Sequence, residues 1–323
     1  VRIVSLTPGA TETVALLGAQ RDLVGRSHLC DFPPGVLGAA VLTRARAPRG
    51  RAPHAQTRGD GDAPRLAAGP PVGLDRAALA DLAPDLVITR GVCDACPIDP
   101  RSVRAACDAI PSRPEVLTLN PRSVDEILDD IGRVACAIGR EEEGRRAVVD
   151  LSHRMDRVLE HVNPYDDGPV CGFMEWTDPI YCAGQWSVQL IERAGARHPL
   201  NPTHPAPGAG AAAGLQHAQR RAGPSIAVTP EELAASAPEW LVVAPRGLTL
   251  DRAERALRDL RAAAPWFEGL RACRRGRVAI VDGSAMFNRP GPRIVDALGF
   301  LVGWIQGRES LIPRGFPWRP MSA

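Results

Sequence analysis

Apolar positions along the chain follow two spacings: short continuous runs, and longer stripes that recur every three or four residues. The runs have strand length and the stripes helix length, and they alternate, which predicts parallel, doubly wound α/β sheets. Residues 1–6 read as a strand, 7–10 as a turn and 11–18 as a helix, with Thr11 as its N-cap and Gly18 as its stop. Residues 23–27 form a second strand, leading into His28-Leu29-Cys30-Asp31-Phe32-Pro33-Pro34. After a gap the pattern resumes with a helix over 75–82, a strand over 86–89, a helix over 100–110 and a strand over 115–119.

A long helical stripe starts at Ser123 and runs through Val124, Ile127, Ile131, Val134 and Ile138, then past Gly139 to Leu151, Met155 and Leu159. A straight helix of that length would span roughly 50–60 Å, more than one lobe needs. It reads as a spine between two lobes, interrupted at Gly139. A second α/β series follows: strands over 170–176, 240–244 and 277–283, and helices over 187–194, 231–237, 251–263 and 292–305. The expected domains are an N-terminal lobe over 1–122, a spine over 123–162, a C-terminal lobe over 163–306 and an irregular tail over 307–323. A ligand cleft is expected between the lobes.

Two stretches break the pattern. Residues 38–73 hold a basic, Pro/Gly-rich segment at 44–51 and no apolar period, and residues 202–223 are of low complexity. Both are expected to be flexible insertions. The arginine cluster in the first reads as a solvated loop rather than an anion site.

Composition narrows the class. The formal net charge is +2, which gives no field for nucleic acid or an anionic membrane. No apolar stretch reaches the ~20 residues of a bilayer span. Residues 1–6 lack the layout of a signal peptide, so a cytoplasmic location is favoured, with export after signal removal as the alternative. Eight cysteines, in a chain large enough to fold without staples, favour a reducing compartment. A monomer is expected.

Several segments together resemble the helical-spine (class III) substrate-binding proteins of ABC-type importers. These are Arg2-Ile3-Val4-Ser5-Leu6-Thr7-Pro8-Gly9-Ala10-Thr11-Glu12, Leu23-Val24-Gly25-Arg26-Ser27, and the run from Pro265-Trp266-Phe267 to Val281-Asp282-Gly283. The cobalamin and iron-chelate subgroup is the nearer likeness. It is carried by Ser27 to Pro33, Cys93-Asp94-Ala95-Cys96, Glu175-Trp176 and Phe287-Asn288-Arg289-Pro290-Gly291-Pro292-Arg293. The resemblance implies non-catalytic binding of cobalamin or a related metal chelate, and an ABC importer permease as partner.

In open parallel sheets, ligands bind beyond the carboxyl ends of the strands, and every one of these motifs falls there. The expected ligand contacts are Thr7, Pro8, Ala10, Thr11, His28, Cys30, Asp31, Cys93, Asp94, Cys96, Glu175, Trp176, Tyr181, Trp186, Phe287, Asn288, Arg289 and Arg293. Trp176, Tyr181, Trp186 and Phe287 offer apolar faces for a flat macrocycle. Arg289 and Arg293 suit a carboxylate or phosphate.

His28, Cys30, Cys93 and Cys96 are candidate metal ligands, for zinc or for the metal of a bound chelate. Buried structural thiols and a thiol-redox pair are the other readings. Cys107, Cys136, Cys171, Cys182 and Cys273 read as packing residues, and His153 and His161 as surface residues. No phosphate-cradling loop or hydrolase elbow points to an enzyme.

Overall fold

The structure is a computed structural model, and it describes residues 1–45, 72–91, 98–163, 166–206 and 220–322. Its contacts divide into two compact units. The first holds the described residues up to 121 together with 126–151; the second holds 122–125 and the described residues from 152 onward.

Unit 1 begins with β1 (Ile3–Ser5), α1 (Pro8–Leu16), β2 (Leu23–Arg26) and β3 (Ala40–Val41). A two-stranded ladder follows, β4 (Thr43–Ala45) against β5 (Val72–Leu74), then α2 (Arg76–Leu82) and β6 (Leu86–Arg90). α3 (Pro100–Asp108) and β7 (Glu115–Leu119) complete its sheet. The strand order is β3-β2-β1-β6-β7 and every pair is parallel, as the alternation of strands and helices implies. The core on this sheet is Val4, Leu6, Leu42, Leu79, Val87 and Val103. The expected flexible insertion is tied at both ends by the β4–β5 ladder; residues 46–71 lie outside the described residues.

The first helix starts earlier than its sequence implies. Thr7, not Thr11, is the N-cap, and Pro8 takes the first helical position, where a missing N–H costs nothing. Thr11 sits one turn inside and turns its hydroxyl to Ser5 Oγ (2.8 Å) and the Thr7 carbonyl (3.2 Å). Gly18 does end the helix, at φ +74°.

Where one spine segment is expected, two helices stand, α4 (Val124–Ala137) and α5 (Glu141–Leu159). Gly139 separates them at φ +68°, a conformation that suits glycine at a helix end. The division between units falls within α5 and leaves 122–125 with unit 2.

Unit 2 continues with β8 (Cys171–Thr177), β9 (Ile180–Cys182) and α6 (Gln185–Arg193). A small ladder of β10 (His204–Pro205) and β11 (Arg220–Arg221) comes next, then β12 (Ile226–Ala227) and α7 (Pro230–Ala235). β13 (Trp240–Val243), α8 (Leu250–Ala263), α9 (Arg271–Arg274), β14 (Val278–Val281) and α10 (Ile294–Ile305) follow. The tail, expected to be irregular, adds β15 (Trp318–Pro320) antiparallel to β14. Prolines at 317 and 320 disguise it, yet an edge strand tolerates them.

The sheet order is β12-β9-β8-β13-β14-β15, with β8, β13 and β14 parallel and the flanking strands antiparallel. One side of unit 2 packs around Phe267, Leu241, Val243 and Val278. A second cluster is aromatic: Phe300 stacks on Phe316 (4.6 Å, 6°) and Trp304 (5.7 Å, 12°), and Phe287 meets Phe173 edge-on at 4.9 Å.

At the amino end of β8, His198 is wholly buried beside Cys171. Its Nδ1 lies 2.9 Å from the Cys171 carbonyl, which can only accept, so Nδ1 carries the proton. Nε2 is buried with no hydrogen-bond partner. Burial holds this imidazole below its ordinary pKa of 6.5 and hence neutral. Once unfolded it takes a proton near pH 6.5, while the folded one does not until lower pH. Its share of stability is therefore intact above 6.5 and is lost as pH falls toward the buried value, by up to about 1.4 kcal/mol per pH unit. Urea midpoints measured at pH 7.5 and 5.5 should fall, and fall less in His198→Gln. An equal fall in both chains would remove His198 as the cause.

Candidate functional site

In each unit the parallel strands release their loops at one end of the sheet, and that end collects the distinctive residues. In unit 1, β1 delivers Ser5 and Thr7, β2 delivers Arg26 to Asp31, and β6 ends at Arg90. Thr7, Ala10 and Thr11 are buried in the start of α1, where Pro8 fixes the first turn. Asp31 is exposed.

His28 is half-buried and doubly tied to Thr43 on β4. Its backbone N–H donates to Thr43 Oγ1 at 2.9 Å, and its Nδ1 lies 2.7 Å from the same oxygen. Thr43 Oγ1 also shares a hydrogen bond with Ser27 Oγ at 3.0 Å. Partial burial lowers the His28 pKa, so the ring is neutral at neutral pH. Thr43 falls inside the expected insertion, and nothing local in the sequence marks it as the partner of a histidine fifteen residues earlier.

Cys30 is only 1% exposed, and its Sγ faces the Ser5 carbonyl at 3.7 Å. Cys93, Asp94 and Cys96 lie outside the described residues. Among the described residues no group of three or more His, Cys, Asp or Glu side chains converges as a metal would require. The zinc and thiol-redox readings gain no support and are not carried further. The described cysteines are free thiols. Burial pushes Cys171 and Cys182 up to about 12, the range of inert packing thiols. Cys107 is buried too, and Cys273 is half-buried. Cys136 corrects its expected packing role, for it is exposed on α4.

In unit 2 the strand ends bring together Glu175 and Trp176 from β8, the loop after β13, and the loop after β14. Glu175 is buried, and its Oε2 accepts from Arg246 Nη2 at 2.8 Å and from Ser225 Oγ. The carboxylate is thus held by an arginine seventy-one residues away. Arg246 is the more open partner of the pair, and sequence reasoning missed it.

The four aromatic candidates part company. Trp186 (4% exposed) donates its indole N–H to the Phe287 carbonyl at 2.5 Å, and Phe287 (3% exposed) packs in the aromatic cluster. Tyr181 is buried on β9. Trp176 is the one of the four with a partly open ring, anchored by its N–H to the Asp178 carbonyl at 3.1 Å.

The loop after β14 is built by its backbone. Asp282 Oδ1 accepts from the N–H groups of Ser284 (2.9 Å) and Ala285 (2.8 Å). Gly283 passes so close to Pro245 that a Cβ would lie 2.1 Å from its carbonyl oxygen. Phe287 adopts φ +62°, and the Asn288 N–H reaches the Met286 carbonyl at 2.7 Å, a strained γ-turn. Asn288 Nδ2 donates to the Gly283 carbonyl at 2.7 Å, leaving its buried Oδ1 without a hydrogen-bond partner. Arg289 is buried and donates to the Ser284 carbonyl, and Arg293, half-buried, is the N-cap of α10.

A family model described as periplasmic binding protein matches residues 3–285. The chain belongs to that family. No curated protein sequence matches it. Among solved structures it is similar to a periplasmic heme binding protein from Pseudomonas aeruginosa, at 20% identity and TM-score 0.69, covering 100% of this chain and 98% of the other. It is also similar to the periplasmic vitamin B12 binding protein BtuF of Vibrio cholerae, at 18% identity and TM-score 0.63, covering 95% and 97%. A third is the periplasmic heme-binding protein RhuT from Roseiflexus sp. RS-1, at 21% identity and TM-score 0.63, covering 96% and 98%.

These likenesses establish the substrate-binding fold. The expected cytoplasmic location finds no support beside them, because the family and these neighbours are periplasmic proteins. No helix among the described residues is long and apolar enough to cross a membrane.

Proposed function

We propose that this chain is a non-catalytic carrier of a planar metal chelate of the heme or corrinoid class, exported and working with an ABC-type importer. The observation that carries the reading is His28. It is a neutral imidazole at the carboxyl end of a parallel sheet, with one ring nitrogen anchored on Thr43. With the proton on Nδ1 and donated to Thr43, Nε2 keeps its lone pair for the iron or cobalt of a chelate. Among the structural neighbours, one is described as a complex with two hemes and another as a vitamin B12 binding protein.

The test titrates the purified chain with hemin and, separately, with hydroxocobalamin, following the visible spectrum. One of the two should bind at roughly micromolar concentration or below. His28→Ala should weaken that binding by about tenfold or more and change the axial-ligand spectrum. Binding of neither chelate overturns the reading, and equal binding by His28→Ala overturns the role of the imidazole.

A further inference from the structure

Arg26 is the last residue of β2 and only 8% exposed, yet no carboxylate among the described residues pairs with it. Its guanidinium instead donates to three backbone carbonyls: Nη1 to Cys30 at 2.9 Å and to Ser27 at 3.4 Å, and Nη2 to Leu37 at 3.4 Å. Nε is buried and has no partner. A buried arginine is ordinarily matched by an acid, because stripping water from a cation is costly. Here the negative ends of three carbonyl dipoles do that work.

The three acceptors are not arbitrary. Two lie at the start of the loop that carries His28 and the third near its end. The Cys30 N–H closes a turn back to the Ser27 carbonyl at 3.0 Å, so the first two acceptors frame His28 itself. The guanidinium sets its donors on separate nitrogens in a rigid plane and so spans carbonyls that do not converge, whereas the three donors of a lysine ammonium all radiate from one nitrogen.

We infer that Arg26 is the positioning residue of the His28 loop: its guanidinium gathers the Ser27, Cys30 and Leu37 carbonyls from beneath while Thr43 fixes the imidazole from β4. This rests on the proposed role of His28. The arrangement also leaves a positive charge uncancelled two residues from the imidazole. That charge favours a chelate bearing carboxylates over a bare hydrated cation.

The test compares the unmodified chain with Arg26→Gln and Arg26→Lys in two measurements. One is the nitrogen NMR spectrum of the His28 ring without ligand, assigned through His28→Ala. The other is hemin affinity with its visible spectrum. The unmodified ring should show a single tautomer protonated on Nδ1. Arg26→Gln should show mixed tautomers and weaken hemin by about tenfold or more, with an altered axial-ligand spectrum. Arg26→Lys, which keeps the charge but loses the fork, should fall between the two or match Arg26→Gln.

An unchanged ring spectrum and unchanged affinity in a folded Arg26→Gln chain overturn the inference. So does an Arg26→Lys chain that matches the unmodified one, since charge alone would then suffice. If Arg26→Gln does not fold, Arg26→Lys decides by the same two readings. Failure of the unmodified chain to bind hemin counts against the functional reading, and the ring spectrum alone then decides the role of Arg26.

Discussion

Phe300→Ala is expected to destabilise unit 2 by about 3–5 kcal/mol, a large part of the roughly 5–15 kcal/mol that holds a typical domain together. Phe300 is fully buried on α10 and meets rings from two other segments. It stacks on Phe316 and lies 5.2 Å from Trp318, both in the C-terminal tail, and it stands 6.4 Å from Phe287 in the loop after β14. Removing it opens a cavity among these rings, two of which are held elsewhere, Trp318 by Trp304 and Phe287 by Phe173. Urea unfolding followed by tryptophan emission should show the midpoint fall, with Phe300→Leu losing much less because it keeps most of the volume. A loss below about 1 kcal/mol for the alanine variant would show that the cluster repacks. The tail should loosen as well, since β15 is an antiparallel edge of the sheet and Trp318 on it, with Phe316 just before it, lies against Phe300.

Glu192→Ala is the second change of that size. Glu192 lies buried on α6 and accepts from the Thr203 backbone N–H at 3.0 Å and from the Thr203 hydroxyl, with Arg220 Nε at 4.0 Å. Arg220 in turn donates to Thr203 Oγ1 at 2.7 Å and to the Thr203 carbonyl at 2.6 Å. Gln189 reaches the Arg220 carbonyl with its amide N–H, while its Oε1 takes the Val124 N–H at 2.8 Å. The network therefore joins α6, β11, the residue that leads into β10 and the first turn of α4.

Taking out the carboxylate leaves the Thr203 donors unmatched and removes the acid facing a largely buried guanidinium. That is expected to cost about 3–5 kcal/mol. Glu192→Gln keeps acceptors for Thr203 and should lose less. Hydrogen exchange offers a local check: amides of the β10–β11 ladder should lose protection in Glu192→Ala before the strands of the main sheet do. Uniform loss across unit 2 would show instead that the network supports the whole unit.

Neither network is visible in the chain as written, and the reason is physical. The alternating runs reveal strands such as β6 and β14 because burial on both faces demands continuous apolar residues. They reveal α8 because one helix face must be apolar. Periodicity encodes which face is buried, but not which distant group meets it. Glu175 and Arg246 are seventy-one residues apart, and Trp186 and Phe287 are one hundred and one apart.

Trp186 and Phe287 were legible as aromatic residues near strand ends, and only packing turned them from ligand faces into core. Thr43 was hidden for the opposite reason, since it stands in a segment whose composition reads as loop. The short strands β9, β12 and β15 escaped because two or three residues carry no period. His28 and Trp176, by contrast, are partly exposed, one just after β2 and the other near the end of β8.

All six tryptophans, at 176, 186, 240, 266, 304 and 318, fall in unit 2, and no tyrosine precedes residue 165. Unit 1 is therefore silent in near-ultraviolet emission. An unfolding curve drawn from tryptophan light is a curve for the unit that holds the rings, and the His28 loop carries no such reporter of its own. Backbone circular dichroism, which sees helices in both units, is the measurement that makes the darker one audible.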